Sequence, residues 1–313
     1  MIVEKRQHWI THLVAVRGTA VRRIWLRLIE VTAVAAVVTY LYKKHDFFTE
    51  GITVLPFTLI GLALGIFLGF RNNTSYDRFW EGRKLWGRLV NTSRTLTRQV
   101  MTLIGPGPDA GGDPELEASH KELVYRVIAY VHAFRCHLRD QPFADELRPF
   151  LPAEEVAALE GESNVPVAIL HRIGQRFREL YDAELVHPLH LSLLEESLAT
   201  LTDIQGGCER IKATPIPKSY NTLMHRLVTF YVFALPFGVV QQVGIFTPEV
   251  TVLVAYAFLG LDAIGEEIEE PFGIDPNDLP LSAMSRMIEV NLRQRLGETE
   301  VPAMLEPVDG VLQ

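Results

Sequence analysis

Hydrophobic residues gather in four stretches separated by long polar segments. Ile52–Phe70 carries no charged residue. Its nineteen residues, at about 1.5 Å of helical rise each, cover about 28 Å, close to the hydrocarbon thickness of a bilayer. Leu227–Pro248 is equally free of charge, with Gln241 and Gln242 its most polar members. Ile24–Tyr42 includes Arg27 and Glu30, which are three apart on a helix and so able to pair near the membrane surface. Tyr40, Tyr42, Lys43 and Lys44 close that stretch like an interfacial belt. Val250–Leu261 is apolar but short, and Asp262 and Glu266 follow it. It spans a membrane only if its end is covered by protein rather than by lipid.

The segments between these stretches carry helical periodicity. Asn73–Ile104 is a long amphipathic pattern, broken by Gly105-Pro106-Gly107-Pro108 and Gly111-Gly112-Asp113-Pro114. Ser119–Arg139 predicts a further helix, Pro142, Pro149, Pro152 and Gly161 mark short pieces, and Val165–Lys212 predicts a long helix kinked at Pro188. Pro236 predicts a second kink, inside the third apolar span. Period-two alternation is scarce, so the expected class is all-α. Four parts are expected: 1–104 with two membrane helices and the start of a cytoplasmic helical region, 105–218 as that region, 219–265 with two more membrane helices, and 266–313 as a cytoplasmic C-terminal segment. From Gly297 on, a loose end is expected.

Charge gives the orientation. Arg17, Arg22, Arg23 and Arg27 precede or enter the first span, Arg71, Arg78, Arg83, Lys84 and Arg88 follow the second, and Arg210, Lys212, Lys218 and Arg226 precede the third. All fall on one side if the chain crosses four times. Positive-inside bias makes that side the cytoplasm, with both termini inside and the loops at 43–51 and 244–249 outside. No cleavable signal peptide is expected at the N-terminus. The formal net charge of −8 speaks against a nucleic-acid partner. The two cysteines, Cys136 and Cys208, are too few for a disulfide framework and are expected to be buried thiols. The pairs His8/His12 and His187/His190 lack an obvious third metal ligand. No phosphate-binding loop or nucleophile elbow is present, so no enzyme is expected.

The second span carries two stripes. Gly61, Gly65 and Gly69 recur every four residues and allow close approach of another helix. Leu62, Ile66 and Phe70 form the neighbouring stripe. In a ring of such helices that stripe would make a narrow apolar constriction; by spacing alone, both stripes would serve equally to pack a helix bundle. Directly below come Arg71, Asn72, Asn73, Tyr76, Asp77, Arg78 and Trp80. Charged, amide and aromatic residues in this place suit a membrane–cytoplasm junction, or simply an interfacial anchor.

The run Phe70-Arg71-Asn72-Asn73-Thr74-Ser75-Tyr76-Asp77-Arg78-Phe79-Trp80-Glu81-Gly82-Arg83 resembles the signature of the bestrophin family in its bacterial form. Pro215-Ile216-Pro217-Lys218-Ser219-Tyr220 leading to His225-Arg226, and Ile264-Gly265-Glu266-Glu267-Ile268-Glu269-Glu270-Pro271-Phe272-Gly273, resemble two further family segments. The resemblance covers roughly residues 1–295. It implies a homopentameric ion channel in the bacterial inner membrane, embedded in lipid, with four membrane helices and a helical cytoplasmic region per subunit. Leu62, Ile66 and Phe70 match the family's pore neck, and a cytoplasmic aperture falls near Leu189, Leu191, Leu193 and Leu194. The permeating ions are monovalent: chloride and other anions by family, and cations in some bacterial members. Glu195, Glu196 and Asp203 lean toward cations and the arginines near the neck toward anions.

No cofactor is required. Animal members hold calcium at positions matching Glu267, Glu270, Asp275 and Asp278. Here the dense aspartate run is replaced by Ile274-Asp275-Pro276-Asn277-Asp278-Leu279 and an amide by Glu267, so a turn whose acids face solvent or arginines is the other reading. A membrane scaffold or sensor that conducts nothing is the alternative to a channel.

Overall fold

The structure, a computed structural model, describes residues 1–2, 18–45, 53–105 and 114–313. The outward loop expected up to residue 51, the Gly/Pro breaker over 106–113 and the His8/His12 pair lie outside the described residues. Ten α-helices occur among the described residues: α1 Val21–His45, α2 Val54–Leu103, α3 Pro114–Leu138, α4 Ala144–Leu147, α5 Ala153–Leu159, α6 Val165–Asp182, α7 Pro188–Ala213, α8 Lys218–Val243, α9 Thr247–Glu267 and α10 Leu281–Arg295. A 3₁₀ turn, Gly244–Phe246, joins α8 to α9. Two isolated bridges are the only extended pairings among the described residues. The chain divides into two compact units: Ile2–Trp80 with Pro215–Glu270, and Met1, Glu81–Thr214 with Pro271–Gln313.

The first unit holds α1, the front of α2, α8 and α9. Val21–His45, Val54–Leu103 and Lys218–Glu267 are long and apolar enough to cross a membrane. α9 has 21 residues, about 31 Å at helical rise, so the fourth apolar stretch is longer than its charge-free core suggested. Its C-terminal end is covered by protein, since Asp262 is buried. Ile24 and Val31 of α1, Leu64 and Leu68 of α2, Val228 and Val232 of α8, and Ala255, Leu259 and Ala263 of α9 share one apolar core. Hydroxyls within the apolar helices turn back on the backbone: Thr32 Oγ1 donates to Leu28 O at 2.6 Å and Thr39 Oγ1 to Ala35 O at 2.7 Å. Pro236 lies inside α8, which continues to Val243.

Glycine sets the closest approach between α8 and α2. A Cβ on Gly238 would stand 2.3 Å from two ring carbons of Phe57. Phe57 is itself buried against Leu235 and Val239, so the ring cannot yield freely. Gly238→Ala is expected to cost about 1–3 kcal/mol by overpacking; Phe57→Leu in the same chain should recover part of that loss, read as the melting temperature in detergent.

The second unit is built mainly of helices among its described residues. α3 is its central element, with Leu123, Val127, Tyr130 and Phe134 fully buried. Trp86 of α2 stacks on Phe134 with ring centroids 5.7 Å apart. Three expectations are corrected here. From Val54 the second apolar span and the amphipathic pattern that follows it form one 50-residue helix, Val54–Leu103, about 75 Å long, because no helix-breaking residue stands between them. The helix expected over Val165–Lys212 is two helices rather than one kinked rod. α6 ends at Asp182, and α7 begins at Pro188, capped by His187 Nδ1, which accepts from Leu189 N at 3.3 Å. Proline in the first helical turn lacks only an N–H that would go unused. The tail after Gly297 is also held: Val308 and Val311 bond each other, Leu312 N donates to Met1 O at 2.9 Å, and Ala283 N donates to Gln313 O at 2.7 Å.

Candidate functional site: the second apolar helix and its polar junction

Within the membrane unit, α2 has one buried face. Phe57, Leu64, Leu68, Arg71 and Ser75 are buried, at spacings of seven, four, three and four residues. The other side is open. Leu62, Ile66 and Phe70 are 65%, 51% and 62% exposed. Of the glycine stripe, Gly61 faces Tyr231, whose hydroxyl oxygen lies 2.5 Å from a Cβ built there, whereas Gly65 and Gly69 have no described atom beyond their own stretch of helix backbone within 4 Å of theirs.

Below Phe70 the helix meets a buried polar network. Arg71 Nη1 donates to Asp262 Oδ1 at 2.5 Å, and the two side chains are 3% and 4% exposed. His225 Nδ1 lies 2.8 Å from Asp262 Oδ2, so each oxygen of this carboxylate has its own partner. Arg71 Nε donates to Asn221 Oδ1 at 3.0 Å, and Asn221 Nδ2 donates to Glu269 Oε2 at 2.9 Å. Glu269 Oε1 accepts from Ile216 N at 2.9 Å, and its backbone oxygen from Arg78 Nε at 3.1 Å. α2, α8 and α9 are thereby laced at one level of the unit.

Burying such charges is unfavourable unless geometry and extra hydrogen bonds offset the lost hydration. Here every charged member of the set has at least one partner. Asn72 Nδ2 donates to Leu261 O at 3.1 Å. Asn72 Oδ1 would stand 2.2 Å from a Cβ built on Gly265, so a side chain there would push the Asn72 amide aside. The sequence motif therefore divides. Arg71, Asn72 and Arg78 hold helices together; Asn73 and Asp77 are exposed, and Tyr76 and Trp80 stack on the open side with centroids 6.4 Å apart. Sequence reading missed Asn221 and Glu269. It noted Asp262 and His225 without joining them; the available signal was an aspartate ending an apolar span, which demands a buried cation.

In the second unit, the start of α7 exposes Leu189 at 72% and Leu193 at 44%. Leu191 is half-buried, and Leu194 belongs to the core. Glu195, Glu196 and Asp203 are exposed on the same helix. Asp278 Oδ2 accepts from Asp275 N at 2.8 Å and closes a tight turn. Glu267 is half-buried and Glu270 exposed. Among the described residues no group of three or more histidine, cysteine or carboxylate side chains is placed to hold a metal ion.

The Asp278 carboxyl is pushed up to about 6, chiefly by burial, against the pull of the Asp275 N–H and Arg139. A raised carboxyl pKa means that the folded state holds the proton more tightly than the unfolded state. The contribution of Asp278 to stability therefore falls as pH rises from about 4 to about 6 and stays low above that. Asp278→Asn keeps the acceptor oxygen and removes the charge. It should raise the melting temperature at pH 7.5, with the gain shrinking toward pH 4.5.

Comparison with known proteins places this architecture. A profile described as Bacterial/Fungal Bestrophin protein matches residues 1–294. The chain is 39% identical over 298 residues to a voltage-dependent anion channel-forming protein of Ralstonia nicotianae, covering 95% of each. It is 36% identical to the voltage-dependent anion channel-forming protein YneE of Escherichia coli K12, covering 98% of each. The crystal structure of a bacterial bestrophin homolog from Klebsiella pneumoniae superimposes with a TM-score of 0.82 at 34% identity, over 88% of this chain and 100% of that one. With its long apolar helices, this is a membrane protein, and the chain belongs to the bacterial and fungal bestrophin family.

Proposed function

We propose that the chain is one subunit of a homopentameric anion channel of the bacterial inner membrane, with both termini in the cytoplasm. The observation that carries this reading is the open face of α2. A charge-free membrane helix leaves Leu62, Ile66 and Phe70 exposed beside Gly65 and Gly69, which have empty space around them. Five such helices around an axis put the bulky stripe on the conduit and let neighbouring backbones close in along the glycines. The relatives named as anion channel-forming proteins support the ion class. Permeation then needs only partial dehydration at three short apolar rings, and no residue has to catalyse a reaction. Leu189, the most exposed leucine at the start of α7, is the residue best suited to a second, cytoplasmic constriction.

A monovalent cation is the second reading, favoured by exposed Glu195, Glu196 and Asp203 on α7. Purified protein in planar bilayers under a sodium chloride gradient separates the readings. A reversal potential toward the chloride equilibrium value supports the proposal, and one toward the sodium value supports the second. No current beyond that of protein-free bilayers would leave a non-conducting scaffold.

A further inference from the structure

Most arginines of the second unit's helices are neutralised. Arg126 and Arg176 pair with Glu122, Arg172 with Glu155, Arg178 with Asp182, and Arg286 and Arg293 with Glu289. Three that have no carboxylate partner among the described residues meet in one place. Arg94, Arg98 and Arg295 line a single cavity of about 600 Å³, and among the described residues no acidic side chain lines it.

The placement follows from helical spacing. Arg94, Arg98 and Thr102 lie one turn apart along one face of α2, and Asn291 and Arg295 one turn apart on α10. The two helices are tied at this point. Asn291 Oδ1 accepts from Arg94 Nε at 3.1 Å and from Arg94 Nη2 at 2.5 Å, which fixes that guanidinium plane. Met101 adds an apolar patch and Thr102 a hydroxyl. Three like charges around one cavity repel one another, and the arrangement becomes favourable when an anion of two or more charges enters. Guanidinium forks match phosphoryl oxygens two at a time. The volume lies within the range of small-molecule sites and exceeds what a single phosphate fills.

We infer that this cavity binds a soluble organic di- or triphosphate, with Arg94, Arg98 and Arg295 on its phosphoryl groups and the organic portion over Met101. The site lies entirely within the second unit and is independent of which ion the protein conducts.

Calorimetric titration of the purified detergent-solubilised protein with inorganic triphosphate, and separately with ATP, tests this. Saturable binding of both is expected, weakening as salt is raised. Arg98→Gln and Arg295→Gln should each weaken it at least about tenfold, as expected for loss of a charge-assisted contact. Arg98→Lys, which keeps the charge but loses the fork, should fall between. Both arginines are exposed, so an unchanged melting temperature is expected and is checked alongside. The absence of saturable heat at millimolar ligand, or affinity unmoved by either substitution, overturns the inference. So does dissociation of the native oligomer on Arg98→Glu, seen by size exclusion, because the cavity would then be seating carboxylates of a second copy.

Discussion

Replacing Ile66 and Phe70 by alanine in every subunit is expected to raise single-channel current without shifting the reversal potential. Both side chains lie on the open face of α2 and are more than half exposed in the described chain. Neither belongs to the buried core of the unit, so truncating them should cost little packing and the fold should survive. In the proposed channel they form apolar rings, and an ion crossing such a ring surrenders part of its hydration with nothing in return. Widening the ring restores that water. Lowering the barrier by about 1.4 kcal/mol multiplies the rate about tenfold, so an increase between about twofold and tenfold is expected from bilayer recordings. Leu62→Ala should add to it. Unchanged current would remove these residues from the conduction path.

The second large effect concerns the junction. Asp262→Ala leaves Arg71 buried without its carboxylate and His225 without its partner. Removing one member of a buried ion pair costs about 3–5 kcal/mol, mostly the burden of the stranded charge. Arg71→Ala should cost a similar amount by stranding Asp262, and it also leaves Asn221 Oδ1 without its donor. The double variant Arg71→Met with Asp262→Leu strands neither charge, and replacing both partners of a buried pair by apolar groups is often close to neutral. Its melting temperature in detergent should therefore lie closer to the parent than that of either single variant. If the single losses simply add, the network is not coupled as the distances imply.

The membrane helices were legible because an unbroken, charge-free apolar stretch long enough to span a bilayer is rarely anything but a membrane helix. Ile52–Phe70 and Leu227–Pro248 met that test without ambiguity. The continuity of α2 was harder to see. Arg71 looks like the end of a membrane helix, whereas its side chain is drawn inside by Asp262, 191 residues further along. A partner at that separation leaves no local trace. The same holds for Glu269, whose acid reads as one more charge in an acidic run until Ile216 N and Asn221 are seen to converge on it. Pro188 was visible as a disturbance, but proline kinks a helix or starts one. What decided between them was His187, whose ring caps the first turn of α7. The tail after Gly297 looked loose because its backbone partners, Met1 and Ala283, lie far away in the sequence.

The most direct test of the conducting path uses the thiol chemistry of the chain itself. Cys136 and Cys208 are buried, and burial raises both thiol pKa values, so neither should react readily with a water-soluble thiosulfonate. Ile66→Cys introduces one reactive thiol on the open face of α2. Exposure of a conducting bilayer to the reagent is expected to reduce the current progressively, with addition of a reducing agent restoring it. A thiol shown by mass spectrometry to be fully modified while the current stays constant would place Ile66 away from the ions and contradict the account.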